Sequence, residues 1–509
     1  MYPIDFFFRA VRQYGDRIAV EAPAGKLTYK QMAERVNALA TALQSLDPVI
    51  GSRVGICSNN SLEYVVSLLA VLAAGKVWVP LNYRSAVREL DSIVSFTKPG
   101  IVLATEKLGS KLNIADVPAR ITLDQAFPGS THTLHDLECM HAGRVPVRYS
   151  KNDESLQAIK FTGGSTGAPK GVMQAYRAWR ATVINLIDAY HFDESERNLL
   201  AAPISHGAGT YILPVLAKGG CHVLLDSVDA ASVLHALRSQ SITTVFMPPT
   251  LFYMVMAIDP ESTLGSSSLK RLIYGGAPMP IEKIREAQRF FGPVVEVTYG
   301  QTEAPQIVTF LSGKELMSER YVTSVGRASL LSDFAIMGAD GQVLPPGETG
   351  EIVVRGQMIM SGYLELPDKT AETIVDGWLH TGDLGCVDEN GYLFLRGRSR
   401  EVIITGGFNV YPIDVENILS GHPLVHDVAV FGLPDEKWGE AVTAAVQLKA
   451  GASLSEEALI AYAKQQIGSV KAPKHIHFYD DLPRNPVGKV DKVSVKALLS
   501  NIASKPLGA

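Results

Sequence analysis

The stretch Phe161-Thr162-Gly163-Gly164-Ser165-Thr166-Gly167-Ala168-Pro169-Lys170-Gly171 is the most telling in the chain. Glycines at 163, 164 and 167 let backbone amides come close to an anion without a side chain in the way. Thr162, Ser165 and Thr166 add hydroxyl donors, and Lys170 adds a positive charge. Amides, hydroxyls and a cation gathered in one loop suit a polyphosphate. No Gly-Lys-Ser/Thr stands at Walker A spacing, so the loop is of another kind. On composition alone it also reads as an ordinary Gly/Ser turn between a strand and a helix.

The segments on either side place the loop in an α/β sheet. Leu27-Thr28-Tyr29 opens an amphipathic stretch through Leu43, and Arg53-Val54-Gly55-Ile56 is a short buried strand. The apolar run from about Tyr64 to Gly75 is too short for the ~20 residues of a spanning helix, so it reads as a buried helix leading into Val77-Trp78-Val79. Ile101-Val102-Leu103-Ala104 follows. Strand, helix and strand at this spacing predict parallel βαβ units. A second set runs from Val223 to Val297, with strands near Val223-Leu224-Leu225, Thr244-Val245-Phe246 and Arg271-Leu272-Ile273.

Beyond about Ser332 short apolar runs alternate with Gly, Asp and Pro turns, as at Phe334-Ala335-Ile336-Met337, Gly350-Glu351-Ile352-Val353-Val354 and Tyr392-Leu393-Phe394-Leu395. That texture predicts a small antiparallel sheet or barrel. After Gly397 a compact α+β unit is expected, with a strand at Asp427-Val428-Ala429-Val430, a helix from Ser455 and a strand near His475-Ile476-His477. The expected fold class is therefore α/β plus α+β. A large N-terminal domain (1–396) of βαβ sheets carries a β-barrel-like subdomain, and a small mobile C-terminal lid (397–509) follows a short polar joint.

At 509 residues the chain exceeds one ordinary core, which agrees with two domains. Its 46% hydrophobic and 19% charged residues fit a soluble enzyme rather than a disordered or fibrous chain. With 47 basic and 52 acidic residues the net charge is -5, which speaks against nucleic acid as a partner. Neither a signal core nor a spanning segment is read, so no integral membrane association is expected. The four cysteines, Cys57, Cys139, Cys221 and Cys386, show no paired spacing, and a reducing cytoplasm is the expected compartment. His132, His135, Cys139 and His141 match no standard zinc spacing and lie in a polar connector.

Four further motifs follow the loop in order. They are Tyr299-Gly300-Gln301-Thr302-Glu303-Ala304, Thr381-Gly382-Asp383, Gly397-Arg398-Ser399-Arg400-Glu401 with Gly406-Gly407-Phe408-Asn409-Val410-Tyr411-Pro412, and Pro483-Arg484-Asn485-Pro486-Val487-Gly488-Lys489. In this order, and over essentially the whole chain, they resemble the adenylate-forming superfamily of acyl-CoA synthetases, aryl-CoA ligases, adenylation domains and luciferase. Singly each has a bland reading: Asp383 as a turn residue, Lys489 as a solvated lysine, Glu303 as a helix-cap partner.

The resemblance implies an ATP-dependent acid–thiol ligase with Mg²⁺ and coenzyme A, acting on an apolar fatty or aromatic carboxylic acid. It implies that Thr162, Ser165, Thr166, Gly167 and Lys170 hold the β- and γ-phosphates and that Glu303 binds Mg²⁺, a hard cation suited to oxygen ligands. Tyr299 with Gly300 and Thr302 would face adenine, with Gly275, Gly276 and Ala277 as the opposite wall. Asp383 would take the ribose hydroxyls, and Arg398 would add donors. Lys489 would reach the α-phosphate and the acid's carboxylate. Arg400 would be the hinge, where the family usually has Asp or Lys. Gly406, Gly407 and Trp438 would meet coenzyme A. His206, Gly207, Thr210, Tyr211 and Gln301 would line the acid pocket, although His206 also reads as a structural histidine. Delivery to a carrier-protein thiol and a non-catalytic ATP-binding regulator are the alternative readings, a luciferase-like oxygenase has no support in the residues, and a homodimer is left open.

Overall fold

The computed structural model describes residues 1–162, 170–259, 263–264, 267–435, 437–484 and 490–503. Thr28 opens the first long helix, Tyr29–Leu46, by accepting from the backbone N–H of Gln31, while the Gln31 side chain returns a bond to Thr28. This reciprocal cap satisfies two donors that the first turn otherwise leaves open. Helix Leu62–Ala73 is capped by Ser61 and buried along nearly its whole length, as its unbroken apolar run requires.

Among the described residues, three hydrogen-bonded sheets organise the molecule. The first has eight strands, in the order Gly362–Tyr363, Lys170–Ala175, Leu156–Thr162, Val77–Leu81, Arg53–Cys57, Ile101–Ala104, Ala119–Thr122 and His132–Thr133. From Leu156–Thr162 onward these strands run parallel, and Val77–Leu81 is buried on both faces, as a parallel sheet covered by helices demands. The second sheet has fourteen strands. Its parallel part includes Arg197–Leu199, Cys221–Val223, Thr244–Met247, Arg271–Gly275 and Val295–Tyr299. One apolar core joins the two sheets: Val54 and Trp78 of the first pack with Val20 and Ile273 of the second and with the helices between them.

The antiparallel unit expected after Ser332 is present, but it does not close into a barrel among the described strands. Ser324–Ala328 pairs with Leu393–Arg398 on one side and with Thr309–Leu311 on the other. The ladder therefore runs on into the parallel strands and extends the second sheet. The third sheet, Ile403–Thr405, Phe408–Val410, Val425–Asp435, Gly439–Leu448 and His475–Tyr479, has its own core around Val415, Val430, Val446 and Leu459. Gly397 and Arg398 still belong to the second sheet, opposite Leu384 and Asp383. The chain leaves it at the turn Ser399–Glu401. Among the described residues no helix is long and apolar enough to cross a membrane.

His222, in strand Cys221–Val223, is completely buried. Its Nε2 donates to the Ile212 carbonyl at 3.1 Å and its Nδ1 accepts from Asn198 Nδ2 at 3.0 Å, which fixes the neutral tautomer. Burial lowers its pKa to about 4. Between that value and the usual histidine pKa of about 6.5 the unfolded chain binds the proton and the native chain does not, so stability is lost as the pH drops through this window. Denaturant melts at pH ~7 and ~5 are expected to show this loss, and His222→Gln, less stable at neutral pH, is expected to show a shallower one.

Candidate active site

Parallel strands Arg271–Gly275 and Val295–Tyr299 are neighbours in register, so Gly275-Gly276-Ala277 and Tyr299-Gly300 emerge side by side at their carboxyl ends. This is the edge at which open α/β sheets take ligands. A Cβ on Gly275 would lie 2.7 Å from the Thr298 carbonyl oxygen, and one on Gly300 would lie 2.6 Å from the Gln306 backbone. Only glycine lets the loop of residues 300–306 fold back so tightly.

Asp383 gathers the groups at this edge. Its Oδ1 meets Arg398 Nε at 2.7 Å, and its Oδ2 accepts from the Tyr299 hydroxyl at 2.8 Å and from Gln301 Nε2. Burial, and then the Asp383 charge, push the Tyr299 pKa far above its usual value, so this hydroxyl stays a donor. Glu351 supports the node from behind: one oxygen accepts from the Gly382 N–H at 2.9 Å and the other pairs with His380 Nδ1 at 2.8 Å. Gln301, expected in the acid pocket, instead spends its amide on Asp383 and on the Thr381 carbonyl at 3.1 Å. The physical reason is its place at the start of the fold-back, where its side chain turns toward strand Trp378–Val387.

Lys170, Glu303 and Tyr363 form a second cluster. Thr162 and Lys170 face each other as a pair in the ladder between Leu156–Thr162 and Lys170–Ala175. Tyr363, two rungs along, puts its ring 5.4 Å from Lys170 Nζ and donates its hydroxyl to Glu303 Oε1 at 2.9 Å. The Glu303 carbonyl accepts from Met360 N–H at 2.7 Å, which anchors its backbone. A partly exposed carboxylate with one oxygen committed to Tyr363 suits Mg²⁺, which takes one or two carboxylates and leaves the rest of its shell to water and phosphate oxygens. Ser165, Thr166 and Gly167 lie outside the described residues, as does Lys489.

The segment after Leu200 carries most of the residues expected at the acid pocket. Asn60 Nδ2 donates to the carbonyls of Leu200 and Ala202 at 2.9 and 2.8 Å, and its Oδ1 accepts from Ile204 N–H at 2.9 Å. One buried side chain from the first sheet thus holds the segment that presents His206. His206 is open to solvent yet crowded by protein, as a group in a recess is. Burial, with the charges of Lys160 and Arg84, lowers its pKa to about 4, so the ring is neutral at pH ~7. Thr210 donates back to the Gly207 carbonyl. Gly207 allows close approach: a Cβ there would lie 2.7 Å from the Phe246 ring and 3.2 Å from Gln306 Oε1. Gln306 Nε2 reaches the Tyr211 hydroxyl at 3.2 Å, and Tyr211 stacks on Phe246 at 5.4 Å. Gln306, rather than Gln301, is the glutamine beside Tyr211.

In the third sheet the three residues expected at coenzyme A come together. Gly406 donates its N–H to the Trp438 carbonyl at 2.8 Å, and a Cβ on it would touch the Trp438 ring at 3.1 Å. Gly406 and Gly407 both have positive φ, at 56° and 81°. Lys437 and Lys474 ammoniums lie 5.0 and 5.3 Å from the same ring. Arg400 is exposed in the turn between the second and third sheets.

Residues 7–364 match the family described as AMP-binding enzyme, and residues 414–489 match its C-terminal domain. The chain is a member of the AMP-binding enzyme family. It is 32% identical to the medium/long-chain-fatty-acid–CoA ligase FadD8 of Mycobacterium tuberculosis over 95% of this chain and 87% of that protein. It is 33% identical to a feruloyl-CoA synthase of an Amycolatopsis species, over 96% and 97% of the two chains. Among solved structures, ATP-bound MatB from Rhodopseudomonas palustris superposes with a TM-score of 0.89 at 30% identity, over 99% of this chain and 100% of that one.

Several residues of this AMP-binding enzyme escaped the sequence reading. Tyr363, Glu351 and Asn60 act through contacts 60, 31 and more than 140 positions away, and no local spacing signals such partners. Phe246 was missed although it precedes the stretch Pro248 to Met254, which was expected near the acid together with Gln301 to Gln306. Of His132, His135, Cys139 and His141, Cys139 Sγ meets His135 Nε2 at 3.7 Å, while His132 Nδ1 meets the Thr131 hydroxyl at 2.8 Å and His141 Nδ1 turns to the Leu137 carbonyl.

Two expectations follow. Tyr299→Phe removes one hydrogen bond to a charged group, ~1.5 kcal/mol, and is expected to raise KM for ATP about tenfold in steady-state kinetics. Asn60→Ala strands two buried carbonyls and one N–H, and is expected to lower unfolding free energy by about 2–3 kcal/mol in denaturant melts and to raise KM for the acid more than for ATP.

Proposed function

We propose that this AMP-binding enzyme joins ATP to an apolar fatty or aromatic carboxylic acid and then passes the acyl group to coenzyme A. It is a ligase of the AMP-forming type, the class to which the fatty-acid–CoA ligase and feruloyl-CoA synthase relatives belong. The observation that carries the reading is that the short loop after Tyr299 joins the Asp383 node of the second sheet, through Gln301, to the Lys170–Tyr363–Glu303 cluster of the first, through Glu303. The first is built to hold paired hydroxyls, and the second brings a cation and a carboxylate to the end of a phosphate loop.

In the first half-reaction an oxygen of the acid's carboxylate attacks the α-phosphorus of ATP and the bond to pyrophosphate breaks. Both partners are anions, so positive charge and donors must be in place beforehand. Thr162, Ser165, Thr166, Gly167 and Lys170 supply these at the β- and γ-phosphates, and Lys489 at the α-phosphate and carboxylate. Magnesium, when bound at Glu303, neutralises charge on the phosphates. Asp383 and Arg398 orient the ribose, with Tyr299 and Gly275-Gly276-Ala277 about the base. A neutral His206 leaves the pocket beside the carboxyl apolar enough for a hydrocarbon or ring.

In the second half-reaction the thiol sulfur attacks the acyl carbon and AMP leaves. Residues 1–396 and 397–509 act as two bodies that turn about Arg400, bringing Gly406, Gly407 and Trp438 to the pantetheine arm. The Trp438 ring between two lysines favours an anionic, aromatic-bearing thiol such as coenzyme A over a bare one. The compartment proposed is the cytoplasm, with no nucleic-acid partner.

Product analysis tests this. With Mg-ATP and fatty and aromatic acids, pyrophosphate is expected with each accepted acid, and AMP with acyl-CoA only when coenzyme A is added. Thioester formation on a carrier protein but not on free coenzyme A would favour the other thiol, and ATP binding with no acid-dependent pyrophosphate would favour a regulator. Lys489→Ala is expected to slow adenylation at least a hundredfold while ATP still binds, in the range typical of losing one charge-stabilising group.

A further inference from the structure

Lys160 is a lysine inside the protein with no anion beside it among the described residues. It lies on strand Leu156–Thr162, only 8% exposed. Its ammonium sits against a pair of indoles that meet edge to face, 5.1 Å from the Trp78 ring and 5.5 Å from the Trp179 ring. Neither ring accepts a directed hydrogen bond as an oxygen does, so the three N–H donors of the ammonium meet no acceptor among the described residues. Burial lowers its pKa to about 8, which leaves it protonated at neutral pH. Cation–π attraction offsets part of the desolvation, but an ammonium buried this far normally has a carboxylate or several oxygens as partners.

Its position says what the missing acceptor is. Lys160 pairs with Val172 in the ladder, and the next pair along the same face is Thr162 with Lys170. Residues two apart on a strand are separated by about 7 Å, so Lys160 lies one rung below the phosphate loop. Val172 packs with Tyr299 and Ala304 on the nucleotide side. Trp78 and Trp179 belong to the large apolar core that also holds Ile204, Ala208 and Phe246 of the acid side. The charge of Lys160 is also felt at His206. The ammonium is therefore wedged between the nucleotide edge and the acid recess.

We propose that Lys160 is a specificity-determining residue that receives an oxygen acceptor carried by the acid in addition to its reacting carboxyl, so that the preferred substrates are hydroxylated, oxo- or dicarboxylic versions of apolar acids. This rests on the ligase reading above. A plain hydrocarbon tail entering the recess would seal the ammonium from water and give it nothing in return, whereas a hydroxyl, ketone or second carboxylate would satisfy it.

The test measures kcat/KM for pyrophosphate release with benzoate, para-hydroxybenzoate and terephthalate, and with heptanoate and pimelate, in the wild-type chain, Lys160→Met and Lys160→Arg. Wild type is expected to favour at least one oxygen-bearing member over its plain counterpart by about tenfold or more. In Lys160→Met the ratio is expected to collapse or invert, and in Lys160→Arg, which keeps the charge against the indoles, to persist. The hydroxyl and dicarboxylate arms tell a neutral acceptor from an anion. A wild-type ratio near one, or a ratio that Lys160→Met leaves in place, overturns the assignment, as does an equal loss with every acid. Acid-dependent release without discrimination defeats the Lys160 assignment and leaves the ligase standing; no release with any acid defeats both. Thermal melts of each variant accompany the kinetics, and should Lys160→Met not fold, the wild-type and Lys160→Arg ratios still decide.

Discussion

The carboxylate of Asp383 is the interaction on which the rest of the site depends. Tyr299 brings to it the end of a parallel strand, Gln301 the start of the tight fold-back, and Arg398 the last residue before the chain leaves the second sheet. A buried carboxylate needs donors on both oxygens, and here the donors come from three separate parts of the chain. Satisfying one charge therefore fixes the relative positions of the end of strand Val295–Tyr299, the fold-back after it and the approach to the third sheet. Glu351 extends the same logic one layer outward by holding the Gly382 peptide.

Charge is distributed around this node in a way that matches the chemistry. Two anions must be brought together for adenylation, and cations flank the edge: Arg398 at Asp383, Lys170 beside Glu303, and Lys160 one rung deeper. The acid recess itself is kept free of net charge at His206, whose ring burial holds neutral. The two sheets share one core, so the acid segment, clamped by Asn60 of the first sheet, is fixed relative to the nucleotide edge of the second. Rigidity on that side contrasts with the short exposed turn at Ser399–Glu401, the joint about which motion is proposed.

Much of this was legible in the sequence, for reasons that differ by element. The parallel strands showed as short apolar runs because both their faces are buried, and the helix Leu62–Ala73 showed as an unbroken apolar stretch for the same reason. The motif residues fall into two groups, Thr162 with Lys170 and, through Tyr363, Glu303, and Tyr299 with Asp383 and Arg398, and each stands at a strand end or tight loop whose composition marks it. The barrel was misjudged because alternating short strands announce an antiparallel ladder but not whether it closes; that depends on Ser324–Ala328 finding Thr309–Leu311 as a second neighbour. Gln301 was expected beside the acid but turns to Asp383, while Gln306 reaches Tyr211, because the direction of a side chain in a fold-back follows from packing rather than from position. Lys160 drew no notice, since one lysine in a strand reads as an edge residue until its burial against Trp78 and Trp179 is seen.

The central claim is that the edge organised by Asp383 makes an acyl-adenylate. Acid-dependent exchange of labelled pyrophosphate into ATP reports that step directly, since only a reversible adenylation returns the label. Exchange that requires the acid and Mg²⁺, needs no thiol, and disappears in Asp383→Ala is the result this account predicts. Exchange that proceeds without any acid, or that survives Asp383→Ala undiminished, would contradict it.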